Sequence, residues 1–330
     1  MFMDATGSEG PKGGADAGRP VKAKDADTAE MFRHALRMAL APRLRELKFY
    51  MHLMAKSATS IAGVALIMFL VFLAAFPSFF AEPGGEDPYW IPKDWSLPAP
   101  IPPSWDGFVL GSGENGQDIY YGIVWGARIS MSFAIQVVAL SVVIGTIFGL
   151  VSGYKGGAVD EAMMRFTDVF LSIPSLILVM AIAAVLGRDL TSTKFALLAV
   201  WWSGYTRLVR GQVLSVRENT YVDAARACGS GELKIMFRHV LPNSWAPVVV
   251  AATMDMGTVV LVMAGLSYLG LGAPLGYAEW GVMIQAGQAH FVEGAWWMTV
   301  FPGLMMLMFV LAFNLMGDGL RDILDPKMRR

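Results

Sequence analysis

The sequence predicts an all-α membrane protein with six transmembrane helices and both termini cytoplasmic. Three observations carry this. Of 330 residues, 55% are hydrophobic and 16% charged, and the mean hydropathy is +0.49, whereas a soluble domain carries about a quarter charged residues. Several apolar runs are long enough to cross a bilayer as helix. With the N-terminus inside, all 26 Lys and Arg except Lys93, Arg128, Arg188 and Lys194 fall on the inner side, the asymmetry that the positive-inside rule requires. The net charge of −1 gives no bias toward nucleic acid. The single cysteine, Cys228, excludes an intrachain disulfide and a cysteine-based metal site. His34, His52, His239 and His290 are scattered and form no ligand pair at helical spacing.

Residues 1–28, rich in Gly, Ala, Asp and Lys, bury too little apolar surface to offset their ordering entropy and are expected to form a disordered cytoplasmic tail. Over 29–56, Met31, Phe32, Leu36 and Leu40, then Leu44, Leu47 and Met51, recur at helical spacing among basic residues. That pattern fits an amphipathic interfacial helix on the membrane surface; a soluble helix packed on a partner is the alternative. Because polar and amphipathic sequence precedes the first apolar run, a signal peptide is not expected. The first transmembrane helix lies within 57–81. Residues 82–128 are expected to be an external loop, since the prolines of PYWIPKDWSLPAPIPPSW exclude long helix.

A core of five further transmembrane helices is expected over 129–317. The second span, about 129–152, carries Gly145, Gly149 and Gly153 at intervals of four, a stripe that lets another helix backbone come close. A polar loop over 153–165 leads to the third span, Asp168 to Leu186, kinked at Pro174. The fourth apolar run, 195–208, is short for a crossing and is expected to start earlier or continue as helix toward Arg217. The fifth span covers about 246–269 and the sixth about 296–316, with a partly buried or re-entrant outer segment between them. Residues 318–330 are read as a cytoplasmic tail.

Between the fourth and fifth spans lies a polar insert, Thr220 to Asn243, which reads as helix, glycine break, helix, stop. Thr220 and Asp223 have the spacing of a capping box. Gly229 can take the left-handed conformation that ends a helix. Ser230 is then expected to cap a second helix, and Pro242 to terminate it. A compact polar hairpin between two spans points to a docking element.

The chain has no phosphate-binding loop, no His-Glu-x-x-His, no Gly-x-Ser-x-Gly and no cluster of intramembrane carboxylates. It is therefore not expected to be an enzyme, and work against a gradient has to come from a partner. Here the residues carry a resemblance. Asp223-Ala224-Ala225, then Gly229, then His239-Val240-Leu241-Pro242 resembles the cytoplasmic loop signature of binding-protein-dependent ABC importer permeases. Arg238 to Asn243, GARIS at 126–130, GLSYLGLG at 265–272, AWWMTVFPGL at 295–304 and GDGLRDILDP at 317–326 resemble the C-type subunit of the oligopeptide/dipeptide branch.

The resemblance covers roughly 110–330. It implies the type I importer permease fold in a prokaryotic inner membrane, with Asp223, Ala224, Ala225, Gly229, Leu241 and Pro242 coupling the chain to a cytoplasmic ATPase. It also implies the partners: a second homologous permease subunit, two ATPase subunits that bind the ATP and Mg, and an extracytoplasmic solute-binding protein, all beside membrane lipid. This chain itself would hold no cofactor. Asp223 stands where the family has glutamate, so docking and helix capping both remain open for it. For the 82–128 loop, contact with the binding protein and packing on the partner permease remain open.

Asp255 is the one carboxylate near the middle of a span. Facing lipid there costs about 2.5–3.5 kcal/mol, so it is expected to face the translocation pathway, favouring cationic groups, or to make a buried interhelical hydrogen bond. The importer is expected to carry oligopeptides or dipeptides. The same permease fold also serves oligosaccharides, nickel and other small solutes. An ion-coupled secondary transporter or channel is the rival of a different class, and a scaffold without a transport role is a third.

Overall fold

Nine named helices and the turns between them follow from where the chain is capped and where it is broken. The computed structural model describes residues 57–105 and 107–324. The expected tail over 1–28, the interfacial helix over 29–56 and the end of the C-terminal tail, 325–330, lie outside them.

Helix α1 (Ala58–Ala75) starts at Ser57, whose hydroxyl accepts the Ser60 N–H. Helix α2 (Ile119–Lys155) is 37 residues long, roughly 55 Å, and it begins well before the expected Ile129. The reason is Asp118, whose carboxylate accepts the Tyr120 N–H at 2.9 Å and caps the helix. The loop expected over 82–128 therefore ends at Asp118.

A second correction follows directly. Gly156 and Gly157, at φ +66° and +57°, turn the chain straight into α3 (Gly157–Leu171), so the expected polar loop over 153–165 is mostly helix. Pro174 then breaks the chain instead of kinking one helix: α3 and α4 (Ser175–Leu186) meet at 81°. Proline has no N–H to donate and pushes the preceding residue, Ile173, out of helical conformation. No continuous helix runs from Asp168 to Leu186.

Helix α5 (Leu190–Arg217) is capped by Asp189, which accepts the Thr191 and Ser192 N–H groups at 2.7 and 2.9 Å. The hairpin opens with α6 (Thr220–Ala227), and after it come α7 (Ala246–Tyr268), α8 (Trp280–Phe291) and α9 (Trp297–Leu324). Helix α9 passes the expected boundary at 317, so residues 318–324 are helix and not a tail. Among the described residues α1, α2, α7 and α9 are long and apolar enough to cross a membrane, and the bent α3–α4 pair makes a fifth crossing if it counts as one span. Helix α5, at 28 residues, has the length to cross but not the composition.

The most extensive packing in the bundle is α2 against α5. It runs along the glycine stripe. A methyl group on Gly145 would stand 2.4 Å from the Tyr205 Cβ, one on Gly149 2.6 Å from the Thr206 carbonyl oxygen, and one on Gly153 2.9 Å from Val213. The two backbones approach as closely as the absence of side chains permits. At one end of this seam Arg210 makes a bidentate pair with Asp160 of α3 at 2.6 and 2.7 Å. Beside it the Arg217 guanidinium donates to the Gly153 carbonyl at 2.7 Å.

At the other end the Pro- and Trp-rich loop packs on its own chain. The Ile91 N–H donates to the Gly276 carbonyl at 3.0 Å, and the Ala278 N–H to the Tyr89 carbonyl at 2.7 Å. The Trp297 indole donates to the Ser112 carbonyl at 2.9 Å. His290 joins Glu293 and Glu114 at 2.8 Å each, tying α8 to the loop. Glu279, fully buried, caps α8 with both carboxylate oxygens, accepting the Gly281 and Val282 N–H groups.

Gly149→Leu drives a side chain into the α5 backbone and is expected to destabilise the detergent-solubilised protein by about 1–3 kcal/mol. A methyl group at Gly204, inside α5, meets nothing, so Gly204→Ala should not lower the melting temperature. The His290 clamp is pH-dependent. The Glu293 carboxylate, and then Glu114, hold the imidazole pKa above its ordinary 6.5. Its stabilisation is therefore full below 6.5 and fades as pH rises through the folded value. Melting temperatures measured from pH 6 to 9 should show a small downward component that His290→Gln removes.

Candidate functional site

The hairpin starts where α5 ends. The Asn219 side chain donates to the Ser215 and Val216 carbonyls at 3.3 and 2.9 Å and closes α5. Asn219 is also the N-cap position of α6, without a capping bond from its side chain. That register defeats the expected capping box. Asp223 lies one position too far along to reach back to the cap, and it accepts the Arg226 guanidinium at 2.9 Å instead. This exposed pair contributes at most about 1 kcal/mol. Arg226 also lies over the Tyr154 ring, 5.7 Å from its centroid, which ties α6 to the end of α2.

Gly229 ends α6 at φ +76°. The Gly229 N–H donates to the Arg226 carbonyl and the Ser230 N–H to the Ala225 carbonyl, at 2.9 and 3.1 Å, the paired closure of a Schellman turn. Ser230 is thus part of the first helix's end and does not cap the second; that position falls to Gly231. The second limb has a helical turn at Glu232–Ile235, a π-helical segment at Met236–Val240 and a further turn at Leu241–Ser244. Pro242 sits in the first turn of Leu241–Ser244, where a missing N–H costs nothing. It does not stop the chain, which continues through Trp245 into α7.

Val222, Ile235, Met236 and Val240 are buried and anchor the hairpin to the bundle. The predicted residues divide around that anchor. Asp223, Ala224, Gly229 and Pro242 are exposed, whereas Ala225 and Leu241 are half-buried against the core. Sequence reasoning missed Tyr221, Leu233 and Phe237, which are 42%, 70% and 57% exposed on a segment otherwise rich in charge. The signal was present, since the hairpin has more large apolar residues than one buried face needs.

Asp255 belongs elsewhere. It sits on α7, where its Oδ2 accepts the Trp201 indole N–H at 3.0 Å and the Tyr205 hydroxyl at 2.6 Å, both from α5. The expected interhelical hydrogen bond is therefore present. The same side chain lines a cavity of about 400 Å³ together with Phe170, Pro174, Gly204 and others at the α3–α4 break.

A family model for the inner membrane component of binding-protein-dependent transport systems matches residues 145–330, which include the hairpin and Asp255. The chain belongs to this family. The permease is 38% identical over 288 residues to the di/tripeptide transport system permease protein of Pseudomonas aeruginosa, covering 86% of this chain and 93% of that one. It is 38% identical over 271 residues to a probable D,D-dipeptide transport system permease protein of Escherichia coli (82% and 88% covered). With the oligopeptide transport system permease protein of Bacillus subtilis it shares 34% over 271 residues (82% and 86% covered). A solved inward-facing structure of the MetNI methionine ABC transporter matches 62% of the permease and 97% of its own chain, at a TM-score of 0.51 and 20% identity. That likeness is one of fold. The permease is thus a multi-pass inner membrane protein with the ABC importer permease fold, from a family that works with ATPase and substrate-binding partners.

Because space around Gly229 is open, Gly229→Ala introduces backbone strain of about 1–2 kcal/mol without a clash. Hydrogen exchange at the Gly229 and Ser230 amides should then run about tenfold faster, with the bundle helices unchanged.

Proposed function

We propose that this permease is one of two transmembrane subunits of an ATP-driven importer of dipeptides and oligopeptides. The observation that carries the cargo is the set of relatives: chains aligned over more than four-fifths of this one are named for di-, tri- and oligopeptide transport. The second subunit is a homologous permease. Two cytoplasmic ATPase subunits bind the ATP and Mg, and an extracytoplasmic binding protein delivers the solute. This chain supplies half of the pathway and no chemistry of its own.

The hairpin is the point where ATPase work enters. Its inner side is anchored by Val222 and Val240, and its outer side presents Ala224 with Tyr221, Leu233 and Phe237. Small and apolar groups on that side let a partner surface approach and dehydrate. Six crossings, with α3 and α4 together as the third and α5 as the fourth, place the hairpin on the same side as both termini. The charges of α5 support its crossing: Lys194 lies near one end, and Arg207, Arg210 and Arg217 toward the other.

Ala224→Arg adds bulk and charge on an exposed site, so the chain itself should melt as the parent does. Affinity purification in mild detergent is expected to recover the parent with ATPase subunits and the variant without them, and dialanine uptake in cells should be lost. A variant that retains its ATPase subunits in parental amounts would rule out docking at Ala224.

A further inference from the structure

We infer that the cavity at the α3–α4 break is a binding site for a primary ammonium group, with Asp255 as its counter-charge. This deepens the importer reading and rests on it for the natural ligand, the free amino terminus of a peptide.

The geometry at Asp255 is one-sided. Both hydrogen bonds, from Trp201 and Tyr205, go to Oδ2. Among the described residues, none goes to Oδ1, and no Lys, Arg or His pairs with the carboxylate. Glu279 shows what a structural acid looks like in this chain, since it is fully buried and spends both oxygens on backbone N–H groups. Asp255 is half-buried, with one oxygen held in place and the other left over.

The surroundings suit an organic cation. The cavity's roughly 400 Å³ lies within the range of small-molecule sites. Its lining includes the rings of Phe170, Trp201 and Tyr205, which attract a cation through their faces. The break between α3, ending at Leu171, and α4, starting at Ser175, forms one wall of the cavity. A second cavity of about 380 Å³ shares Leu208 and Ala251 with the first, so the site adjoins further open volume along α7.

The test uses a reporter thiol. Cys228 is the only cysteine, and a side chain at Gly204 points into open space beside Asp255. Full-length Cys228→Ser/Gly204→Cys protein, purified with its co-purifying subunits into nanodiscs, is labelled with a water-soluble maleimide. Propylammonium is expected to slow labelling about tenfold, with dialanine acting similarly, while propionamide and sodium chloride do not. Asp255→Asn keeps one oxygen acceptor for Trp201 and Tyr205 and replaces the other oxygen, and the charge, with an NH2 group. It should melt as the parent does yet lose the protection, and Asp255→Glu should restore part of it.

A thiol that never reacts would mean a dry cavity and overturn the proposal. So would protection by propionamide, or protection that persists in Asp255→Asn. If propylammonium protects but the parent transporter takes up no dialanine, the cation site stands and the peptide reading fails. If dialanine is taken up but propylammonium does not protect, the importer stands and the site falls.

Discussion

The close approach of α2 and α5 along Gly145, Gly149 and Gly153 is the constraint on which the remaining structure depends. A side chain at Gly145 or Gly149 would meet α5 backbone and Cβ atoms at less than 3 Å, and one at Gly153 the Val213 side chain at 2.9 Å. That contact fixes the height and rotation of α5. Fixing α5 places Trp201 and Tyr205 against Asp255 at one level, and Arg210 against Asp160 at another. At its end the same helix hands over to the hairpin through Asn219. One packing seam therefore connects the cavity to the hairpin.

This connection is the physical route by which the proposed ATPase docking would reach the cavity. The hairpin is held to the bundle by Val222 and Val240 and by the Arg226 contact with Tyr154. A force applied to its outer side reaches α5 and the end of α2 together, because Arg217 is bonded to the Gly153 carbonyl. The α3–α4 break forms one wall of that cavity.

Much of this was legible in the sequence, and the misses have physical reasons. Long apolar runs fix α1, α2, α7 and α9, and the glycine stripe announced a close helix contact without naming α5. The start of α2 was missed because Asp118 was read as loop sequence, although a carboxylate before Ile-Tyr-Tyr is a helix cap. Helix α3 was missed because its polar first turns lack a transmembrane signature. The hairpin was found, but its capping register was not, since Asn219 is drawn back to close α5. Which apolar side chains of the hairpin face outward depends on how it seats on the bundle. No local pattern separates Leu233 from Ile235 in that respect. Asp255 was singled out by its position alone; its partners lie 54 and 50 residues away and come together only in the folded bundle.

The central claim is that the outer side of the hairpin is where ATP-driven work enters the permease. A photo-reactive residue at Leu233, 70% exposed and clear of the buried anchor, tests it most directly in the intact membrane. Mass spectrometry of the cross-linked product should find a subunit carrying a nucleotide-binding phosphate loop. Adducts confined to lipid, or to another copy of this chain, would contradict the account.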